Sequence, residues 1–104
     1  MAGDEAFEVV DQPDESRFAV LVDGDHAGSA YYERRDDRVL FTHTEVDDAY
    51  EGRGVGSALA RGALDAVRSR GQKAVPLCEF IAGYIDRHAE YADLVDRDLL
   101  AELR

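Results

Sequence analysis

Tyr50-Glu51-Gly52-Arg53-Gly54-Val55-Gly56-Ser57-Ala58-Leu59 puts glycine at three alternate positions, at a point where the hydrophobic period of the chain changes. Upstream, Arg38-Val39-Leu40-Phe41-Thr42-His43-Thr44-Glu45-Val46 is rich in strong β formers and reads as one long strand. Downstream, Val55, Leu59, Ala63 and Val67 recur at i, i+4 spacing over 53–70, with Ala60, Leu64 and Ala66 beside them, which is the stripe of one amphipathic helix. A glycine-rich turn between a strand and a helix offers several backbone N–H groups at the helix N-terminus, where the dipole also favours an anion. Glycine lets a phosphate approach the backbone closely, so the natural guest is a diphosphate.

Working outward, the first half of the chain reads as strands and short turns. Strands are expected over 7–10, closed by Gln12-Pro13-Asp14, and over 17–22, 26–33 and 38–46. Asp23-Gly24-Asp25 and Asp36-Asp37 form the turns between them. Beyond the long helix, Gly71 is placed to cap its C-terminus. A short strand then covers 73–77. A helix follows over 79–88 with Phe80, Ile81, Tyr84 and Ile85 on one side, and the stretch 91–100 adds a last helical turn or two. The order ββββ-α-β-α, with successive short turns in its first half, is that of an α+β domain around a mostly antiparallel sheet. Residues 1–6 read as a mobile tail and 7–104 as a single domain.

Composition narrows the function classes. At 104 residues and 45% hydrophobic content the chain can bury a core, which argues against disorder. No apolar run is long enough to span a bilayer, and the acidic start, Met-Ala-Gly-Asp-Glu-Ala-Phe, lacks the apolar core of a secretory signal; we expect a cytoplasmic protein with no membrane partner. Cys78 is the only cysteine, so no intrachain disulfide can form. No cysteine–histidine grouping points to a metal. Net charge is −11, and Lys73 is the only lysine. Scattered acid pairs such as Asp14-Glu15, Asp36-Asp37 and Asp47-Asp48 fit the solvation of a halophile's proteins, or the steering of a basic substrate. Nucleic acid is a poor partner for such a surface.

Three phosphate-binding patterns compete for the glycine turn. A Walker loop ends in Gly-Lys-Ser/Thr, whereas Gly56 is followed directly by Ser57. A dinucleotide fingerprint spaces its glycines differently and opens a parallel βαβ unit, whereas the strands before this turn read as antiparallel. The third is the pyrophosphate loop of acyl-CoA-dependent acetyltransferases, which Gly54-Val55-Gly56 fits in spacing and in its place between a fourth strand and a helix. A glycine-rich helix start without a ligand is the structural alternative, at a cost in helix stability.

The segments His43-Thr44-Glu45-Val46, Glu51 to Leu59, Val75-Pro76-Leu77-Cys78-Glu79-Phe80 and Tyr84-Ile85-Asp86-Arg87-His88-Ala89-Glu90-Tyr91 together resemble the minimal Yjdj-type branch of the GNAT acetyltransferase superfamily. The resemblance covers roughly 7–95. It implies a shortened GNAT fold without the helices usual between the first two strands. It further implies acetyl-CoA as cosubstrate, held by Val46, Glu51, Gly52, Arg53, Gly54, Val55, Gly56 and Ser57. Glu51 departs from the Gln or Arg that many members carry at that position. The implied reaction is acetylation of a primary amine, on a protein tail or a small polyamine, with a non-catalytic CoA-binding or interaction module as the alternative. His43 has a suitable ordinary pKa for a base, and Glu45 can orient it or take the proton itself. Each is equally readable as a structural hydrogen-bonding residue. In a regular strand the two would share a face with Val39 and Phe41. Cys78 is an active-site thiol, even an acetyl carrier, or a small buried hydrophobe. Tyr84 is a proton donor to the leaving thiolate or a core aromatic.

The charge balance carries its own test. Raising salt from 0.1 M to 1 M shortens the Debye length from about 10 Å to about 3 Å, and the melting temperature is expected to rise across that range. A melting temperature that stays flat or falls would refute the reading of the acidity as self-repulsion.

Overall fold

Asp23 and Gly24 both adopt positive φ, 51° and 89°, as a tight hairpin between right-twisted strands requires. Asp36, at φ 56°, turns the chain again. These turns fold the first half into four strands, β1 (Phe7–Gln12), β2 (Arg17–Val22), β3 (Asp25–Arg35) and β4 (Arg38–Val46), each antiparallel to the one before. The computed structural model describes residues 6–104. Of the tail expected over 1–6 only Ala6 is described; its N–H donates to Asp23 Oδ1 at 3.2 Å and its carbonyl accepts from Asp23 N at 2.9 Å.

The remaining elements are α1 (Val55–Ser69), β5 (Lys73–Pro76), α2 (Glu79–Arg87), a 3-10 segment (Ala89–Leu94) and α3 (Arg97–Leu103). β5 pairs parallel to β4, giving one sheet in the order β1-β2-β3-β4-β5. This is the α+β architecture read from the sequence, with one difference near the C-terminus. The stretch expected as a single helical piece over 91–100 is divided. Asp96 N donates to Ala74 O at 3.0 Å, which ties the chain to the edge of β5, and the Asp96 carboxylate then accepts from Leu99 N at 3.0 Å and caps a new helix.

Helix α1 lies across the sheet and buries Val55, Leu59, Ala60, Ala63, Leu64 and Val67 against Phe18, Val20, Tyr32 and Phe41. It starts two residues later than the periodicity suggests, because Gly54 takes a left-handed conformation and becomes the cap. At the other end Gly71, φ 68°, closes a Schellman motif in which Gln72 N donates to Val67 O at 3.0 Å. Asp11 pins the helix end to the sheet: Tyr32 donates to its Oδ1 at 2.5 Å and Arg70 to its Oδ2 at 2.8 Å. Burial, helped by that carboxylate, pushes the Tyr32 phenol up to about 12. On the opposite face of the sheet Leu100 of α3 packs on Leu40 and Val75.

One irregularity changes which side chains share a face. Tyr32 pairs with Phe41 but Tyr31 pairs with His43, so Thr42 is an extra residue in β4, a β-bulge. The regular strand expected from the sequence is therefore corrected. Past Thr42 the parity reverses: Val46 packs against the α1-side core and Thr44 reaches Cys78. His43 and Glu45 point to the other side, away from the face of Val39 and Phe41.

Close approach of α1 to β1 depends on Gly62, where a Cβ would stand 2.6 Å from Val9 Cβ. Gly62→Ala gains about 1 kcal/mol of helix propensity but overpacks the contact at a cost of about 1–3 kcal/mol. A lower urea midpoint with an unchanged m-value is expected; a midpoint at or above the wild type would show that the helix moves off freely.

Candidate active site

The parallel ladder between β4 and β5 ends abruptly. Phe41 O accepts from both Leu77 N, at 2.9 Å, and Cys78 N, at 3.0 Å, and the chain then turns from β5 into α2. β4 continues to Val46 without β5 beside it. Between this free half of β4, the start of α1 and the first turn of α2 lies a cleft of about 400 Å³. Its walls are Thr44, Glu45 and Val46 from β4, Tyr50, Glu51 and Gly52 from the connecting turn, Gly54 to Ser57 from the start of α1, and Phe80 from α2.

The glycine turn builds one wall through its backbone. Gly52 and Gly54 hold φ of 80° and 79°, a region costly for any residue with a Cβ. No side chain caps α1, so the first-turn residues Val55, Gly56 and Ser57 offer the cleft the amides that a helix leaves without internal partners. Gly56 serves a different purpose: a Cβ there would stand 2.7 Å from the tip of the Phe80 ring. The other wall is apolar, formed by Val46, Tyr50 and Phe80. Glu45 and Glu51 also border the cleft, Glu45 with its side chain turned to the other side of β4 from Thr44 and Val46, and no lysine or arginine is part of its lining. Arg53, expected beside them, is instead directed to Ala49 O at 3.4 Å and lies 5.0 Å from the centre of the Tyr50 ring.

Of the four catalytic candidates, three gather near the cleft. His43 Nε2 lies 3.3 Å from Glu45 Oε2, and both side chains are well exposed, at 64% and 60%. The imidazole stacks on Tyr31 across the strand pair, with centroids 6.2 Å apart. Of these two, Glu45 is the one that lines the cleft. Cys78 is half-buried at the head of α2, with Sγ 3.4 Å from Thr44 Oγ1, so the thiol borders the cleft through Thr44. Tyr84 sits elsewhere. Its ring is 1% exposed, stacks on His88 at 4.0 Å and belongs to the core beneath α1, which takes its phenol out of the cleft lining.

Thr44, Tyr50 and Phe80 line the cleft without having been singled out from the sequence. Phe80 was grouped with the buried side of its helix, yet it is 39% exposed. Its sequence signal was available: counting i+3 and i+4 from Ile81 reaches Tyr84 and Ile85 and leaves Phe80 on the flank. A larger hollow of about 630 Å³ near α3 is lined by Arg38 and Asp96, paired with each other, and by Lys73, Arg97, Asp98 and Glu102, and brings no glycine turn. Among the described residues no group of His, Cys, Asp and Glu could hold a metal ion, and no helix is long and apolar enough to cross a membrane.

Comparison with known proteins bears on the same elements. A family model described as GCN5-related N-acetyl-transferase matches residues 17–94, from β2 through the 3-10 segment, and so includes the whole cleft. The chain is 39% identical over 71 residues to Protein NATD1 of Mus musculus and of Gallus gallus, covering 66% of this chain and 64% of each relative. It thus spans somewhat less than two thirds of the length of these relatives. Among solved structures, the solution structure of a GCN5-like protein from Staphylococcus aureus superposes with a TM-score of 0.64 at 22% identity, over 91% of this chain and 90% of that one.

Proposed function

The chain belongs to the GCN5-related N-acetyltransferase family, and on that premise we propose that it moves an acetyl group from acetyl-CoA to a primary amine. The observation that carries this reading is the cleft itself, where an uncapped, glycine-built helix start meets the half of β4 that β5 leaves open, paired to β3 alone. The residues fit such a donor. The diphosphate lies against the amides of Val55, Gly56 and Ser57, with Gly52 and Gly54 keeping side chains clear. The pantetheine arm runs along Val46 towards Thr44, between Tyr50 and Phe80, where its uncharged length suits the apolar wall.

Chemistry then follows at the end of β4. The acceptor nitrogen attacks the thioester carbonyl carbon, a C–N bond forms, the C–S bond breaks, and CoA leaves as a thiolate that takes its proton from solvent. Glu45, which lines the cleft, accepts the proton lost by the amine. His43, 3.3 Å away and stacked on Tyr31, holds that carboxylate in place and can receive the proton onward. Cys78 and Thr44 border the acetyl end. A relay through an acetylated Cys78 is the rival route and would give ping-pong kinetics. The acceptor is a cationic amine, on a protein tail or a small polyamine, drawn by Glu45 and Glu51 and by exposed Asp47 and Asp48 beside them. A cytoplasmic protein working in high salt fits the acidic composition. The burial of Tyr84 favours one second reading, a CoA-binding module without turnover, because it takes that phenol out of reach of the thiolate.

Two measurements test the proposal. Gly54→Val forces a β-branched residue into φ 79° and is expected to weaken CoA binding by at least tenfold in a calorimetric titration, with the circular dichroism spectrum retained. Unchanged affinity removes the donor site from this loop.

Glu45→Gln is expected to lower kcat for a polyamine acceptor by about 100-fold at neutral pH, with part of the rate returning at high pH, where the amine deprotonates unaided. A wild-type kcat in this variant would leave Glu45 structural. Binding of CoA with no turnover of any amine by the wild type would favour the binding module.

A further inference from the structure

The two side chains assigned to proton transfer stand in the open. His43 and Glu45 are 64% and 60% exposed, whereas Thr44 and Val46, on the cleft side of the same strand, are half-buried. A site for a small molecule encloses about 70–90% of its ligand. Side chains this exposed belong to a surface, and the cleft of about 400 Å³ beside them is the donor's.

That surface extends well past the two residues. Val9 meets Gly62 of α1, and Phe18, Val20, Val22 and Tyr32 pack in the same core. Alternation therefore turns Val10, Leu21 and Tyr31 to the other face of the sheet, the face of His43 and Glu45, and all three are only partly buried. Tyr31 continues directly into the His43 ring. β1 reaches β2 through a short turn, Pro13–Glu15, so that connection lays no helix over this face. Leu100 of α3 covers Leu40 and Val75, short of the Thr42 bulge. Arg17, the cation within the face, is drawn down onto Gln12 Oε1 at 2.7 Å and Ser29 Oγ at 3.3 Å, and His26 reaches the same hydroxyl at 2.9 Å. At the mouth of the cleft Glu45, Asp47, Asp48 and Glu51 are all exposed. A partner thus meets apolar contact along the sheet and negative charge where an amine must arrive.

From this openness we infer that the acceptor amine is carried by a polypeptide, a flexible basic segment of another protein that lies on this sheet face and brings its amine to Glu45. Contacts with Val10, Leu21 and Tyr31 supply the affinity that an enclosing pocket would give a small molecule. A free polyamine meets the same carboxylates without those contacts, so it reacts with a high KM. The inference rests on the reading of the cleft as the donor site and of Glu45 as the base, and adds which acceptor class the site selects.

Steady-state kinetics of the full chain with acetyl-CoA decide it, comparing spermine with two arginine-containing peptides. One peptide has a single lysine and a blocked N-terminus; the other has a free N-terminus and no lysine, so the pair shows which amine is carried. At least one peptide is expected to exceed spermine by about 30-fold or more in kcat/KM, chiefly through KM. Leu21→Ser, away from the cleft, is expected to raise that peptide's KM about fivefold or more and to leave the KM of spermine within about twofold. In the chain without donor, titration with each peptide is expected to shift the amide NMR signals of Val10, Leu21 and Tyr31. Spermine equal to or better than both peptides overturns the inference while the donor site stands. Turnover of neither peptide with acetyl-CoA bound overturns it likewise, and so does a Leu21→Ser variant with the wild-type peptide KM. If acetyl-CoA does not bind in a calorimetric titration, the donor-site reading falls and this inference with it.

Discussion

The carbonyl of Phe41 accepts two amides, those of Leu77 and Cys78, and every functional feature of the molecule depends on that double acceptance. It marks the point where β5 leaves β4. The amides that follow Pro76, those of Leu77 and Cys78, are both spent on this one oxygen, and the chain then turns into α2. Beyond it β4 has one neighbour, and the Thr42 bulge bends the strand further. The freed half of β4 becomes a cleft wall because α1 and α2 both begin at its side. A fully paired strand there would leave no room for a ligand.

Charge is used sparingly at the cleft and heavily elsewhere. Arginines act as long-range fasteners, Arg70 joining the end of α1 to β1 through Asp11, and Arg38 joining β4 to the start of α3 through Asp96. Backbone hydrogen bonding to Leu99, together with Arg38, holds the Asp96 carboxyl below its ordinary range, so its contribution is present above the ordinary aspartate pKa and fades as pH falls through the lowered value. The cleft instead relies on backbone amides. In a chain of net charge −11 this division has a physical logic. A side-chain cation near the cleft would be drawn into pairing with abundant carboxylates, whereas an amide dipole fixed in a helix cannot be redirected.

The architecture was legible at the level of single elements. The i, i+4 apolar stripe of α1, the Asp23-Gly24 hairpin and Gly71 as a helix cap all stand where local chemistry places them, because each depends on residues within a few positions of one another. The glycine turn was legible for the same reason: 52 and 54 need positive φ whatever packs around them. What the local pattern missed involved partners distant in sequence. The helical count leaves Phe80 on the flank of α2, but that its ring comes to rest against Gly56 at the cleft is a meeting of residues 24 positions apart.

The sequence by itself determined the order of elements, the site of the glycine loop, the single thiol and the excess of acid, since all of these are properties of short segments or of composition. Tertiary structure decided which side chains meet. A one-residue bulge at Thr42 turned His43 and Glu45 away from the face that regular alternation assigns them, and set Thr44 against Cys78, 34 positions along the chain. Packing beneath α1 took Tyr84 into the core. The side-chain period of a strand is two, so a single inserted residue reverses every assignment beyond it, and whether a residue is inserted depends on the register with the neighbouring strand, which no local pattern contains.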